Sequence, residues 1–284
     1  MKINIYITAL AIVSMVASSC TQDADTPSAD DNSVRVDASI GGALTKVTYN
    51  DSGLTFFEAD DVIAVQNLAR ETENISSFTY DSKAWNAAEK LFWNPVSVGK
   101  NKFRAWHPGN TDGCTFNSFV LPSDQSNKAK LSAADWMTAE TDMIDKPADS
   151  RLSLNFKHNL VRIVVNWTVT DQYDLDYIDG MEFLVKEMEG VTLESPTVIA
   201  YNDGDAKRAT GIVTPGTYKA GEPFIYVYYG TVHRHDAILS EDLVIEAGKT
   251  YTFNVVVGDE ISFSVDGYTI PWEDGEGATG SLQQ

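Results

Sequence analysis

Two cysteines, four histidines and a large excess of carboxylates are the side chains of this chain with chemical reach. Cys20 ends an apolar run, Ile3 to Val16, that follows Lys2, and Ala17, Ser18 and Ser19 stand directly before it. A positive start, a short apolar stretch and small residues ahead of a cysteine read as a bacterial lipoprotein signal, cut just before the thiol. The stretch is too short for a lasting bilayer span, so it is read as removed. The Cys20 thiol would then carry lipid. At roughly 0.8 kcal/mol per buried methylene, two or three acyl chains such as palmitate hold a protein on a membrane. The alternative is an ordinary secretory signal with a coincidental cysteine. Either reading places the body outside the cytoplasm. Cys114 has no disulfide partner left, and no base lies near it in sequence, so it reads as a small buried hydrophobe rather than a nucleophile.

The histidines offer little catalysis. His233 and His235 would point to one side of a strand, as a metal pair does, but Arg234 lies between them and no cysteine is near. His158, after Leu154-Asn155-Phe156-Lys157, reads as a hydrogen-bonded structural residue at a turn. No Gly-x-Ser-x-Gly elbow, His-Glu-x-x-His pair or phosphate-binding Gly-Lys-Ser/Thr loop is present. Carboxylates are so numerous that no pair stands out as glycosidase machinery. Asn202, Asp203 and Asp205 around Gly204 read as a solvated turn rather than a calcium loop. Trp85, Trp93, Trp106 and Trp136 read as core, with a sugar-stacking surface as the other option. No enzyme activity, cofactor or metal is therefore expected. Asp and Glu outnumber Lys and Arg by 41 to 21, a formal charge of -20, which excludes nucleic acid as a partner.

The elements that position these residues follow from period-two alternation. Val34, Val36, Ala38 and Ile40 alternate with Arg35, Asp37 and Ser39. The same pattern recurs at Leu152-Leu154-Phe156, at Val161-Ile163-Val165-Trp167-Val169 and at Tyr251-Phe253-Val255-Val257. Gly258-Asp259 reads as a tight hairpin leading into a further strand from Ile261. Helical signals are confined to Ser132–Met137, with Ser132 as cap, and Ala84–Leu91. The segment 21–33 carries Asp23, Asp25, Asp30 and Asp31 and no Lys or aromatic residue, and it reads as an acidic disordered tether. The expected fold class is all-β, two sandwich domains in tandem with short helical decorations. A signal peptide would occupy 1–19, the tether 20–33, the N-terminal sandwich 34–172 and the C-terminal sandwich 173–284. The boundary is placed in the polar stretch near Thr170–Asp179.

Four motifs, in order, then resemble one family. Phe57-Glu58-Ala59-Asp60-Asp61-Val62-Ile63-Ala64-Val65 is similar to the Phe-x-x-Gly-Asp-x-Ile-x-Val signature of fimbrillin-like proteins, with Asp60 where that family has glycine. Phe103-Arg104-Ala105-Trp106-His107-Pro108 resembles their Phe-x-Ala-Tyr-Tyr-Pro strand. Asp142-Met143-Ile144, followed by Leu154 to Ile163, and Ile270-Pro271-Trp272-Glu273-Asp274-Gly275 resemble two further family stretches. The resemblance covers about Val34 to Gly277. It implies two transthyretin-like sandwiches and a subunit of type V fimbriae, the lipoprotein-derived pili of anaerobic Gram-negative bacteria. It also implies a trypsin-like protease that removes the first strand after Arg or Lys, opening a groove filled by a strand from another subunit. In this chain Val34, Val36, Ala38 and Ile40 would form the displaced strand, Gly41-Gly42 the break and Lys46 the cleavage site. An acidic stretch after a lipidated cysteine resembles the export signal for the outer face of the outer membrane, and a solvated spacer is the plainer reading.

The tail after Trp272 has no alternating apolar face, so the donor strand would have to be Ile261–Ile270, or the chain would be a tip or anchor component. A non-polymerising, glycan-binding surface lipoprotein is the alternative function.

Overall fold

The computed structural model describes residues 32–41, 57–72, 74–95, 99–169, 178–229, 233–257 and 262–271, with backbone alone for His233 and for 262–271. Cys20, the tether up to residue 31, Lys46, the hairpin at Gly258-Asp259 and the tail from Trp272 lie outside these residues. Residues 32–284 make one compact unit.

The alternating segments fold as strands because a period of two puts one face in a core and the other in water. The chain lays down β1 (Arg35–Ile40), β2 (Val62–Asn67), β3 (Ile75–Tyr80), β4 (Trp85–Ala87) and β5 (Phe103–His107). After β6 (Phe119–Leu121) and the short helix α1 (Lys128–Ala133) come β7 (Met137–Glu140) and β8 (Arg151–His158). One seven-stranded sheet collects most of these in the order β1-β8-β7-β5-β2-β3-β4. Its core holds Ile63, Val65, Phe78, Leu91, Trp93, Phe103, Leu152, Leu154 and Phe156. Strict alternation along β8 buries Leu152, Leu154, Phe156 and His158 and leaves Arg151, Ser153, Asn155 and Lys157 exposed.

The remaining strands are β9 (Val161–Val169), β10 (Gly180–Leu184), β11 (Val191–Leu193), β12 (Thr197–Ile199), β13 (Tyr201–Asp203) and β14 (Arg208–Val213). They are followed by β15 (Gly216–Tyr218), β16 (Pro223–Tyr229), β17 (His233–Ile238), β18 (Leu243–Ile245), β19 (Lys249–Val257) and β20 (Ser262–Pro271). A four-stranded sheet, β12-β10-β16-β17, and a five-stranded sheet, β13-β14-β9-β19-β20, share a second core. Ile163, Val165, Trp167, Phe183, Ile225, Val227, Phe253 and Val255 fill it. The all-β, sandwich-type class expected from the sequence is the class found.

Gln125 ties the two sheets of the second core together. It is fully buried. Its side chain donates to the Ile212 carbonyl at 2.9 Å and accepts from the Ile212 N–H at 2.7 Å, as a neighbouring strand would. Its own N–H donates to the Ile199 carbonyl of β12 at 3.0 Å. One residue of the connection from β6 thus satisfies backbone groups on both sheets.

Two local expectations are corrected. The helix runs over Lys128–Ala133 rather than Ser132–Met137, because Asn127 takes the cap, its side chain accepting from Lys130 N–H, and Met137 already begins β7. Ala84–Leu91 is not helical. The Asp81 carboxylate accepts from the N–H groups of Lys83 and Ala84, and the following residues pair as β4 with β3, so cross-strand bonding overrides the helix propensity of Ala87-Ala88-Glu89-Lys90. The strand β9 pairs with β14 and β19, and Val161 to Trp167 pack in the second core. Alternation marks a strand and its buried face, but not the sheet it joins.

Candidate functional site

The first strand is an edge strand. β1 pairs in parallel with β8 from Arg35↔Arg151 to Ile40↔Phe156, and the flanking bonds Arg35 N–H to Ser150 O (3.0 Å) and Gly41 N–H to Phe156 O (3.1 Å) extend that ladder. Its alternation turns Val34, Val36 and Ile40 inward, at 5%, 9% and 7% exposure, and Ala38 packs half-buried against the same core. The strand thus covers the apolar face that Leu152, Leu154 and Phe156 help to build.

Among the described residues its other flank is held at the start. Val34 N–H donates to Leu91 O at 2.7 Å, Trp93 N–H to Asn32 O at 3.0 Å, and the Asn32 amide to Trp93 O at 2.6 Å. Past that clamp, β1 and β4 part around a cleft of about 290 Å³ lined by Val34, Val36, Phe78, Trp85 and Arg151. The Arg151–Asp37 pair across the β1–β8 edge is long, 3.9 Å, and exposed, so it contributes little. The strand ends at Gly41, whose φ of 67° suits glycine and turns the chain out of the ladder.

A buried polar cluster closes the opposite ends of the strands β5, β7 and β8. His107, at the end of β5, donates from Nδ1–H to the Asp135 carbonyl at 3.0 Å, and its Nε2 lies 3.8 Å from Asp61, an ion-pair distance rather than a hydrogen bond. His158, at the end of β8, bonds the Asp135 carboxylate at 2.8 Å. Burial works against charge on His107, but Asp61 and Asp135 outweigh it and hold the imidazole above its ordinary pKa. Next to Asp61, Asp60 adopts φ 73°, the left-handed conformation that favours glycine. It is the position at which the family signature carries glycine.

The other sequence-derived candidates disperse. Cys114 is buried, and burial pushes its thiol up to about 12, which removes it as a nucleophile. His235 is bonded to the Tyr229 hydroxyl and stacked on that ring, so its Nε2 is already engaged. Among the described residues no group of three or more His, Cys, Asp or Glu side chains converges on a metal position. Asp203 and Gly204 form the turn between β13 and β14, Asp203 accepting from Ala206 N–H at 3.2 Å. Trp93, Trp106 and Trp136 are buried in the cores, and Trp85 alone of the four is half-exposed, packed edge-on against Phe57. Among the described residues no tryptophan surface offers itself for stacking sugars. Sequence reasoning missed Gln125, because its partner Ile212 stands 87 residues away. It also missed His107, which the family motif presented only as a variant of tyrosine.

Comparison with known proteins follows this geometry. A solved structure of a candidate cell adhesion protein from Bacteroides uniformis superposes with a TM-score of 0.59 at 21% identity, covering 85% of this chain and 100% of that one. A second candidate cell adhesion protein, from Bacteroides ovatus, gives 0.54 at 12% identity, covering 84% and 97%. At such identities the likeness establishes the fold. No curated protein matches the chain. The shared pattern of fimbrillin-like proteins matches residues 45–272, most of the sequence, and the chain belongs to the fimbrillin-like family.

Proposed function

We propose that this protein is a subunit or accessory component of a type V fimbrium that serves cell adhesion, made as a surface lipoprotein on Cys20 and assembled by strand exchange at the place of β1. Cleavage after Lys46 by a trypsin-like protease frees the first strand, and an extended segment of another subunit takes its place on β8. No catalytic role is assigned to any residue.

The observation that carries this reading is the one-sided seat of β1. It covers apolar core on its inner face and, among the described residues, has one full-length partner, β8, and a cleft along its outer edge. Three buried aliphatic side chains, at roughly 1.5–3 kcal/mol each, contribute about 5–9 kcal/mol before ordering costs. Loss of the strand would leave a hydrophobic trough beside an unpaired edge, and a strand from a second subunit restores both the burial and the main-chain bonds. The family match starts at residue 45, so β1 lies before it and Lys46 at its margin. Two structural neighbours are described as candidate cell adhesion proteins, which suits a surface role. The outer membrane, through the lipid, and other fimbrial subunits are the proposed partners.

The test replaces Lys46 in the organism's own gene. Lys46→Ala should leave the protein at the cell surface as an uncleaved monomer and abolish heat-resistant multimers on denaturing gels. Multimers that persist unchanged in this variant would overturn the cleavage step.

A further inference from the structure

The outer face of the sheet β12-β10-β16-β17 carries side chains that water alone does not require. Its inner face places Met181, Phe183, Ile225, Val227 and Ala237 in the second core. Its outer face sets Tyr226 and Tyr228 on the central strand β16. Glu182 stands opposite Tyr226 and Gly180 opposite Tyr228 on β10, while Asp236 and Arg234 face the same two tyrosines from β17.

These groups are fixed before any ligand arrives. The Arg234 guanidinium lies 4.2 Å over the Tyr226 ring and donates to both oxygens of Asp236, at 2.7 and 3.1 Å. Glu182 accepts from the Thr197 hydroxyl at 2.8 Å. Beside Tyr228 the absence of a side chain matters. Among the described residues a Cβ added to Gly180 would meet nothing within 4 Å, which leaves a notch next to the half-buried Tyr228 ring.

We propose that this face is a binding platform for a neutral saccharide. One sugar ring sits in the notch above Gly180 with its C–H face against Tyr228, and its hydroxyls bond Glu182, Arg234 and Asp236. The chemistry fits an uncharged polyol. An aromatic ring offers a flat apolar surface, two carboxylates accept from hydroxyls, and a planar guanidinium donates in a set direction. The two carboxylates and one guanidinium leave the patch with a single formal negative charge, on a chain of -20, so an anionic polymer is repelled. Preformed hydrogen bonds lower the ordering cost of capture. The platform lies on β10, β16 and β17, away from β1, and stands or falls apart from the strand-exchange reading.

Affinity electrophoresis of the purified chain through gels containing mannan, dextran, galactan or xylan, with hyaluronate as the anionic control, tests it. At least one neutral polysaccharide should retard the protein, and both Tyr228→Ala and Gly180→Val should weaken that retardation tenfold or more. Gly180→Val fills the notch with a residue that suits a strand, so its thermal unfolding should match the parent even if Tyr228→Ala is unstable. Unaltered migration in every neutral gel, retardation by hyaluronate alone, or retardation that survives Gly180→Val would overturn the proposal.

Discussion

Asp60 and His107 show how single residues depart from the pattern around them. Asp60 holds φ 73°, where a side chain costs of order 1–3 kcal/mol, although aspartate pays toward the low end. Asp60→Gly should therefore raise stability by about 1 kcal/mol and the melting temperature by roughly 2–4 °C, read by calorimetry. Alignment of nine residues with a family signature made this position legible as a glycine site before any dihedral was measured. His107 has a folded pKa raised above the usual 6.5. Its contribution is thus fully present below pH 6.5 and is lost as pH rises through the folded value. The groups facing it are Asp61 ahead of β2, Asp135 ahead of β7 and, through Asp135, His158 at the end of β8. Denaturant unfolding from pH 6 to 9 should show stability falling with pH, and His107→Gln should remove most of that slope; an unchanged slope would assign it to another group. Nothing in the local sequence announced this cluster, since its members come together from four separate segments.

Among the elements, β1 is the one that alternation predicts best and whose role depends most on context. The period of two placed Val34, Val36, Ala38 and Ile40 on one face, and that face is the buried one. Its parallel partner 115 residues away was beyond any local pattern. The same limit holds for β9, whose apolar run is longer and clearer than that of β1 and packs in the other core. If β1 is a replaceable element, a chain nicked at an engineered protease site within 43–46 should retain its first strand until a competitor is offered. A fluorescent peptide copying residues 33–41 should then bind the nicked protein and not the intact one, measured by polarisation. Equal binding to both forms would point to the open edge beside β4 instead of the seat of β1.

On the scale of the whole molecule, Ala64 and Trp106 of the first sheet pack into the second core, and the chain is strongly acidic. Gln125 bridges the sheets of the second core, and Gln125→Leu leaves the buried N–H and C=O of Ile212 without that partner, an expected loss of roughly 2–4 kcal/mol in chemical denaturation. Net charge of -20 makes copies repel each other, so assembly of cleaved subunits should quicken as salt is raised from about 10 to 200 mM, where the screening length shrinks to under roughly 10 Å. The all-β character was readable from the alternation alone. The proposed assembly requires the lipidated precursor to lose its first strand on the way to the assembled form. The N-terminal residue of protein recovered from surface multimers, determined by mass spectrometry, tests it most directly. The expected result is a chain beginning at Val47 without lipid, and multimers built only of chains that begin at lipidated Cys20 would contradict it.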